Sequence, residues 1–319
     1  MKNSERRVLI VKNKSRLELL TEQFSTKSQA EFYIKSNRVN FAAKLKKKKA
    51  SKRMPPPKQS SIFGSKSKKS LIQQQQQSIE VDAEVANFSS GGEFQEIEKE
   101  DEGFQNTITY IQQEIRKQAK VQIVEREYLS SFLFAKDDII VVVGRDGLVA
   151  NTAKYAKNLP IIGVNPDPNK INGIFLPYEA SQIGTVLRKV LNGTFRSKLV
   201  TMAEVEMNDG QRLLAFNDIF VGTSTHRSAH YRITHNQCTE KHSSSGIIIS
   251  TGAGSTGWLS SIANMTNKIS EFCFGNKSVR INQAQNNPFK IKWDTDYLLF
   301  VVREAFESKN SQTNISIGK

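Results

Sequence analysis

The stretch that decides the fold is Ile139-Ile140-Val141-Val142-Val143-Gly144-Arg145-Asp146-Gly147. Its first five residues are all β-branched, and a continuous run of this kind predicts a strand that is buried on both faces, as in parallel sheets. The glycines follow the run directly, so we expect them at the carboxyl end of a parallel strand. Open α/β sheets bind their ligands at this edge.

Strand and helix patterns alternate on both sides of this stretch. In chain order they are a strand at Val8–Val11, a helix through Ile108, Ile111 and Ile115, a strand at Val121–Val124, the strand above, a helix at about 148–157 and a strand at 160–164. Such an order predicts a parallel sheet with helices on both faces. The amino-terminal half of the chain is therefore predicted to be a Rossmann-like α/β domain.

The pattern changes to strands alone from about residue 196. Residues 198–207 and 212–221 read as two strands, and Asn208-Asp209-Gly210 between them is a strong hairpin signal. Further strand patterns follow at 230–234, 246–250 and 297–302. We therefore predict a Rossmann-like domain over residues 5–195 and a β-rich domain over residues 196–319.

A charge-segregated tract interrupts the first domain. Residues 44–69 hold eleven Lys or Arg and no acid, so their removal lowers the formal net charge from +15 to +4, while residues 80–102 hold nine acids. Such composition buries too little apolar surface to fold, which predicts a disordered insertion at about 44–95. Phe63 is the one aromatic residue among these lysines, so a solvated linker is favoured over a nucleic-acid contact.

Hydropathy and cysteine content indicate the cellular compartment of the protein. No stretch approaches the roughly 20 apolar residues of a membrane span, and Val8–Val11 is too short for the apolar core of a signal peptide. The two cysteines, Cys238 and Cys273, have neither metal-site nor disulfide spacing. These features predict a cytoplasmic protein. The uneven spacing of the four histidines predicts no metal site made by the chain.

A second glycine-rich turn, Thr251-Gly252-Ala253-Gly254-Ser255-Thr256-Gly257-Trp258, lies in the β-rich half. Glycines let a backbone approach a polyphosphate, and a following helix offers free amides and a positive dipole end. An aspartate at such a turn, like Asp146, can accept a hydroxyl proton or hold a phosphate-bound cation. Gly-Xaa-Asp-Gly also ends strands for conformational reasons alone, so the second turn strengthens the functional interpretation.

Together with Asn217-Asp218, the two turns resemble the signatures of the NAD kinase family. These are a Gly-Gly-Asp-Gly turn, an Asn-Glu pair on a later strand and a Thr-Pro-Thr-Gly-Ser-Thr-Ala-Tyr-like loop. Gly144–Gly147, Asn217-Asp218 and Thr251–Trp258 match them in order. The stretch Gly-Leu-Val-Ala-Asn-Thr-Ala-Lys-Tyr at 147–155 looks most like a less studied bacterial branch of that family.

The resemblance implies an enzyme that transfers a phosphoryl group from ATP, with Mg²⁺, to the 2′-hydroxyl of the adenosine ribose of NAD, giving NADP. It also implies a homo-oligomer, a nucleotide-binding domain over residues 5–195 and a dinucleotide-binding domain over residues 196–319. Asp146 would be the base or would orient the hydroxyl, and Asn217 and Asp218 would bind dinucleotide hydroxyls. An aromatic side chain such as Trp258 would stack on adenine. The full set of implied substrate-binding residues is Gly144, Arg145, Gly147, Asn217, Asp218, Ser255, Thr256, Gly257, Trp258 and Ser261.

The sequence also departs from the family pattern. Arg145 replaces a glycine, which disfavours positive φ but adds a guanidinium for phosphate. Ser245 stands where the family often has aspartate, Asp218 is shorter than glutamate, and the family continues past the position of Lys319, so a truncated β-rich domain is expected. Two alternatives stay open, namely a kinase for a lipid or another small hydroxyl compound and a nucleotide-binding protein without catalysis.

Overall fold

The computed structural model describes residues 6–36, 94–275 and 289–319. Their contacts divide the chain into two units. One comprises the described residues up to Lys12 and those from Gln112 onward, and the other runs from Asn13 to Ile111. The predicted insertion lies outside the described residues, except that Phe94 and Gln95 belong to a helix. The predicted domain boundary near residue 195 stays a prediction.

A five-stranded parallel sheet forms the first part of the larger unit. Its strands are β1 (Arg7–Lys12), β2 (Lys120–Glu125), β3 (Ile139–Val143), β4 (Ile161–Asn165) and β5 (Tyr178–Glu179). They lie in the order β2-β1-β3-β4-β5, with every neighbouring pair parallel. All five residues of β3 are buried, as its β-branched sequence predicts. The chain reverses direction across the sheet between β1 and β3, which is where sheets of this order bind ligands.

The helices are α1 (Arg16–Phe24), α2 (Phe94–Arg116), α3 (Asp146–Ala156), α4 (Ile183–Leu191) and α5 (Trp258–Phe274), and residues 27–36 are helical as well. In the smaller unit, Leu20, Ala30, Phe94 and Ile97 form a buried cluster. In the larger unit, Leu148, Val149 and Ala153 of α3 pack into a cluster with Leu9 and Ile140 of the sheet. The α/β prediction for the amino-terminal half is thus confirmed.

The remainder of the larger unit is antiparallel, as predicted. A four-stranded sheet has the order β13-β12-β11-β8, and two ribbons are formed by β6 with β7 and by β9 with β10. The strands are β6 (Ala203–Glu206), β7 (Arg212–Ala215), β8 (Asp218–Val221), β9 (Ala229–His235), β10 (Cys238–Ser244), β11 (Gly246–Ser250), β12 (Leu299–Arg303) and β13 (Ile317–Gly318). In the described ranges no helix has the length and apolar character needed to cross a membrane.

The predicted hairpin is present but shorter than expected. Strands β6 and β7 pair antiparallel, and Gly210 takes φ +80° in the turn between them. The second strand stops at Ala215, and the chain then leaves the ribbon to pair as β8 with β11. This change of sheet falls at Phe216 and Asn217, so Asn217 lies at a break between two strands rather than inside one.

Candidate functional site

The turn Gly144–Gly147 joins the end of β3 to the start of α3. Gly144 is buried, and its N–H donates to the carbonyl oxygen of Val164 at 3.4 Å. Arg145 has φ −112°, an extended conformation open to any residue. The replacement of a family glycine by Arg145 therefore creates no backbone strain, and its side chain is exposed beside the amino terminus of α3.

The Asp146 carboxylate is held by the loop that follows β4. Its Oδ1 accepts the Phe175 N–H and its Oδ2 accepts the Ile174 N–H, each at 2.9 Å. The loop comes this close because Gly163 has no side chain, since a Cβ there would lie 1.9 Å from the Phe175 carbonyl oxygen. An ionised carboxylate offers about four acceptor positions. Asp146 thus anchors the loop and keeps about one acceptor position on each oxygen.

Asn217 and Asp218 carry buried acceptors. Among the described residues, neither Asn217 Oδ1 nor Asp218 Oδ1 has a hydrogen-bond partner. A buried polar atom left unpaired costs about 1–3 kcal/mol, so two adjacent ones point to a donor supplied from outside the chain. Burial raises the pKa of the Asp218 carboxyl, and the Ser250 hydroxyl opposes that rise only in part.

Thr251 ties the second glycine-rich turn to this pair. Its hydroxyl donates to the Phe216 carbonyl oxygen at 2.6 Å, and its N–H donates to the Asn217 carbonyl oxygen at 2.9 Å. The same hydroxyl accepts the Gly254 N–H at 3.1 Å. Thr251 had no predicted role beyond its place in the motif. A threonine that opens a glycine-rich turn is a known local signal for such a bond.

The glycines of the second turn let its backbone pack closely against the Asp218 carboxylate. A Cβ at Gly254 would lie 2.6 Å from Asp218 Oδ1 and 2.3 Å from the Asn217 carbonyl oxygen. A Cβ at Gly257 would lie 3.8 Å from Asp218 Oδ2. We call the group formed by Asn217, Asp218, Gly254 and Gly257 the carboxylate notch. The Asn217-Asp218 pair and the second glycine-rich turn, which are distant in sequence, therefore lie together in the structure.

The hydroxyls of the second turn are engaged locally. Ser255 is buried, and its hydroxyl donates to the Gly252 carbonyl oxygen at 2.7 Å. The Thr256 hydroxyl donates to the Ala253 carbonyl oxygen at 3.2 Å, and that of Ser261 to the Gly257 carbonyl oxygen at 3.5 Å. These bonds shape the turn. Thr256 and Ser261 are exposed, whereas Ser255 supports the loop from inside, and the substrate contacts of all three stay predictions.

Trp258 opens α5 at the surface of the chain. Its side chain is 37% exposed, while the next residue, Leu259, is fully buried against Ile291 and Leu299. The indole ring lies against the ring of Phe220, with 5.6 Å between centroids. An aromatic at this position is thus a surface residue rather than part of the core, as its predicted stacking role requires.

One buried cluster carries all three motifs. The Phe175 ring, whose N–H binds Asp146, packs edge-on against the Phe216 ring at 5.1 Å and against the Trp293 ring at 5.0 Å. Phe216 immediately precedes Asn217, and the same cluster includes Leu148 of α3 and Ala253 of the second turn. The candidate site therefore consists of the Asp146 turn and the carboxylate notch, attached to a common core.

The described parts of the chain hold no group of three His, Cys, Asp or Glu side chains placed to bind a metal. Two of the histidines have local partners, His235 with the Lys319 carbonyl oxygen and His242 with the Glu240 carboxylate. Mg²⁺ is commonly held by substrate phosphates and one or two carboxylates. Asp146, with acceptor positions to spare, fits that requirement for a cation that arrives with ATP.

Comparison with known proteins finds relatives for part of the chain. No family model matches it. The NAD kinase of Chlorobium phaeobacteroides (strain BS1) is 28% identical over 127 residues, which are 38% of this chain and 43% of that protein. The NAD kinase of Legionella pneumophila (strain Paris) is 31% identical over 144 residues, 44% of this chain and 48% of that protein. The chain thus matches less than half the length of each relative.

Two solved structures are also similar. One is an NAD kinase from Archaeoglobus fulgidus in complex with ATP, with a TM-score of 0.42 and 16% identity over 63% of this chain and 69% of that one. The other is the yeast NADH kinase complexed with NADH, with a TM-score of 0.41 and 12% identity over 64% and 63%. At these scores the fold assignment rests on the strand order alone. Over the part of the chain that they match, the sequence relatives confirm the predicted resemblance to the NAD kinase family.

Proposed function

We propose that this chain is an NAD kinase, which transfers a phosphoryl group from ATP to the 2′-hydroxyl of the adenosine ribose of NAD. One observation carries the proposal, namely that Asn217 and Asp218 present buried, unpaired acceptor oxygens beside glycines of the second turn. Acceptors in such a notch suit a ligand that brings hydroxyl donors. The sequence relatives over the matched part of the chain support the same activity.

The carboxylate notch would bind the hydroxyls of the dinucleotide. A ribose diol brings two O–H donors on adjacent carbons, and hydrogen bonds to Asn217 Oδ1 and Asp218 Oδ1 would remove two unpaired buried acceptors. The raised pKa of the Asp218 carboxyl reflects its burial in a site with few donors of its own. Ligand binding would then stabilise the ionised form.

Asp146 would act on the hydroxyl that receives the phosphoryl group. The adenosine 2′-hydroxyl turns from the carboxylate notch to Asp146, and its proton passes to that carboxylate as the ribose oxygen forms its bond to the terminal phosphorus of ATP and the bond to the ADP oxygen breaks. The N–H groups of Ile174 and Phe175 fix the carboxylate during this transfer. Mg²⁺ bound to the ATP phosphates would neutralise their charge, and the exposed Arg145 beside the amino terminus of α3 could contact the same phosphates.

A nucleotide-binding protein without catalysis is the second candidate, and a specific observation favours it. Both Asp146 oxygens already accept backbone N–H groups, which is what an aspartate with a purely structural role would do. A lipid kinase fits less well, because paired acceptors at Asn217 and Asp218 suit a diol better than a single lipid hydroxyl.

These candidates are separated by incubating the protein with ATP, Mg²⁺ and, in parallel, NAD, NADH and diacylglycerol, and then weighing the products by mass spectrometry. The proposal expects one added phosphoryl group on NAD or NADH. Calorimetric binding of NAD without any phosphorylated product would identify the non-catalytic candidate. Phosphorylated diacylglycerol would identify the lipid kinase.

We also propose a cytoplasmic homo-oligomer. Both cysteines, Cys238 and Cys273, are free and exposed, which suits a reducing compartment. Helix α5 exposes Met265, Ile269 and Phe272 at successive spacings of four and three residues, the spacing of an apolar seam between helices. Light scattering after gel filtration tests this, and Phe272→Glu is expected to yield monomers. The conservative Phe272→Leu serves as its control and should keep the oligomer.

A further inference from the structure

Phe220, Trp258 and Arg303 form an exposed cluster that we call the stacking platform. The Arg303 guanidinium carbon lies 5.3 Å from the Trp258 ring centroid and 5.8 Å from that of Phe220. The two rings are tilted by only 32° and their centroids are 5.6 Å apart. Phe220 is 42% and the Arg303 side chain 33% exposed. The Phe220 and Trp258 rings and the planar Arg303 guanidinium thus lie together at a surface that a ligand can reach.

Glycines of the antiparallel sheet hold the Phe220 ring in place. Strands β8 and β12 both pair with β11, and Arg303 lies opposite Gly246 in that register. Gly246 has φ +116°, and a Cβ there would lie 2.6 Å from Phe220 Cε2. A Cβ at Gly222 would lie 2.6 Å from Phe220 Cζ. The ring therefore occupies space that two glycines leave open, and any larger residue at Gly246 would displace it.

The stacking platform adjoins the carboxylate notch. Asp218 and Phe220 are two residues apart on β8, so their side chains leave the same face of the strand about 7 Å apart. Trp258 directly follows Gly257, which lines the notch. Hydroxyl acceptors next to an aromatic surface match the layout of a nucleoside, whose ribose hydroxyls and base lie at a similar separation.

We propose that Arg303 binds the adenine base of the acceptor dinucleotide, stacking on a ring that rests against Trp258 and Phe220. This rests on the proposed function and adds a residue outside the three motifs. Adenine is favoured over the oxidised nicotinamide ring, because that ring is cationic and the guanidinium charge repels it. A guanidinium suits this role better than an ammonium, since only the guanidinium is planar and stacks on aromatic faces.

Base binding requires Arg303 to move outward. At 5.3 Å from the indole centroid the guanidinium leaves no room for a ring between them. Its ion pair with Glu304 is 3.8 Å long and partly exposed to solvent, and such a pair holds a side chain weakly. The guanidinium can therefore lift and stack again on the outer face of the base at little cost.

Calorimetry with the full chain tests this with NAD, nicotinamide mononucleotide, which lacks adenine, and ATP. Arg303→Lys keeps the charge but loses the stacking plane, so NAD should bind about three- to tenfold more weakly. Binding of nicotinamide mononucleotide and of ATP should be unchanged. Arg212→Lys is the matched control, because Arg212 pairs with Glu204 and Glu206 on the exposed ribbon and should alter none of the three.

Three results would overturn the assignment. An equal loss for NAD and nicotinamide mononucleotide would place Arg303 on the phosphates or on the nicotinamide half. A loss for ATP alone would assign the platform to the donor nucleotide. Unchanged NAD binding in Arg303→Lys would leave Arg303 outside the site. NADP formation by the unmutated chain is measured in the same preparation, so failure of this assignment is distinguished from failure of the proposed function.

Discussion

Replacement of Asp146 by asparagine separates its chemical role from its structural one. Both carboxylate oxygens accept backbone N–H groups. Asparagine presents one oxygen and one NH₂ group, so one of these hydrogen bonds is lost. The NH₂ group then faces the backbone N–H of Ile174 or Phe175, and both are donors. Leaving that N–H unsatisfied should lower the free energy of unfolding by about 1–3 kcal/mol. If Asp146 is also the base, turnover per folded molecule should fall by about a hundred- to ten-thousand-fold.

Asp138→Asn is the matched control for this experiment. Asp138 lies just before β3, whereas Asp146 lies just after it. The Asp138 carboxylate accepts hydrogen bonds from the Arg7 guanidinium at 2.6 and 2.8 Å and from the Ala135 N–H at 2.7 Å. The same substitution there should cost similar stability, about 1–3 kcal/mol. Its position at the opposite end of the strand predicts turnover per folded molecule like that of the unmutated chain.

The assay combines urea unfolding with NADP formation at saturating ATP and NAD, normalised to the folded fraction. Asp146→Asn with unmutated turnover per folded molecule would refute the catalytic role and leave Asp146 as a loop anchor. An equal loss of turnover in Asp138→Asn would show that the assay reports damage to the sheet rather than chemistry.

Three further predictions concern the same site and the tract before it. Trp258→Ala should weaken NAD binding by about 1–3 kcal/mol with little change in melting temperature, and the reverse pattern would make Trp258 structural. Burial raises the pKa of the Asp218 carboxyl, so the folded chain keeps the carboxyl proton at pH values where the unfolded chain has lost it. The free energy of unfolding therefore falls as pH rises above the pKa of the unfolded chain, about 3.9. In chemical unfolding, Asp218→Asn should be more stable than the unmutated chain at pH 7 but not at pH 4. A short glycine-serine linker in place of 46–93 should preserve NAD binding, whereas deletion of 46–95 also removes the buried Phe94 and should cost about 3–5 kcal/mol.

Local sequence pattern determined much of the fold. The β-branched run of β3 and the glycines after it indicated a buried parallel strand that ends at a ligand-binding edge, and the strand order places them there. The hairpin over Gly210 was predicted correctly, but its second strand was predicted too long. Propensity continues through Phe216 into β8, and only the pairing of β8 with β11 shows that the chain changes sheet at Asn217.

Contacts between residues that are distant in sequence were not predicted. Asp146 binds a loop 28 and 29 residues away, and Thr251 binds a carbonyl 35 residues away. Gly163 makes the first contact possible, yet inside β4 it reads as an ordinary weak strand position. Arg303 has no motif around it and meets Phe220 only because β12 and β8 flank β11. The sequence motifs identified the candidate catalytic and binding residues. The residues that hold them in place depend on tertiary contacts, which the motifs do not show.

Phosphorylation of a matched pair of acceptors tests the central claim most directly. The protein, ATP and Mg²⁺ are incubated with NAD or with its analogue that lacks the 2′-hydroxyl on the adenosine ribose, and the products are analysed by fragmentation mass spectrometry. We expect NAD to gain one phosphoryl group on its adenosine half and the analogue to bind but stay unmodified. A phosphoryl group on the analogue, or NAD that binds and stays unmodified, would contradict it.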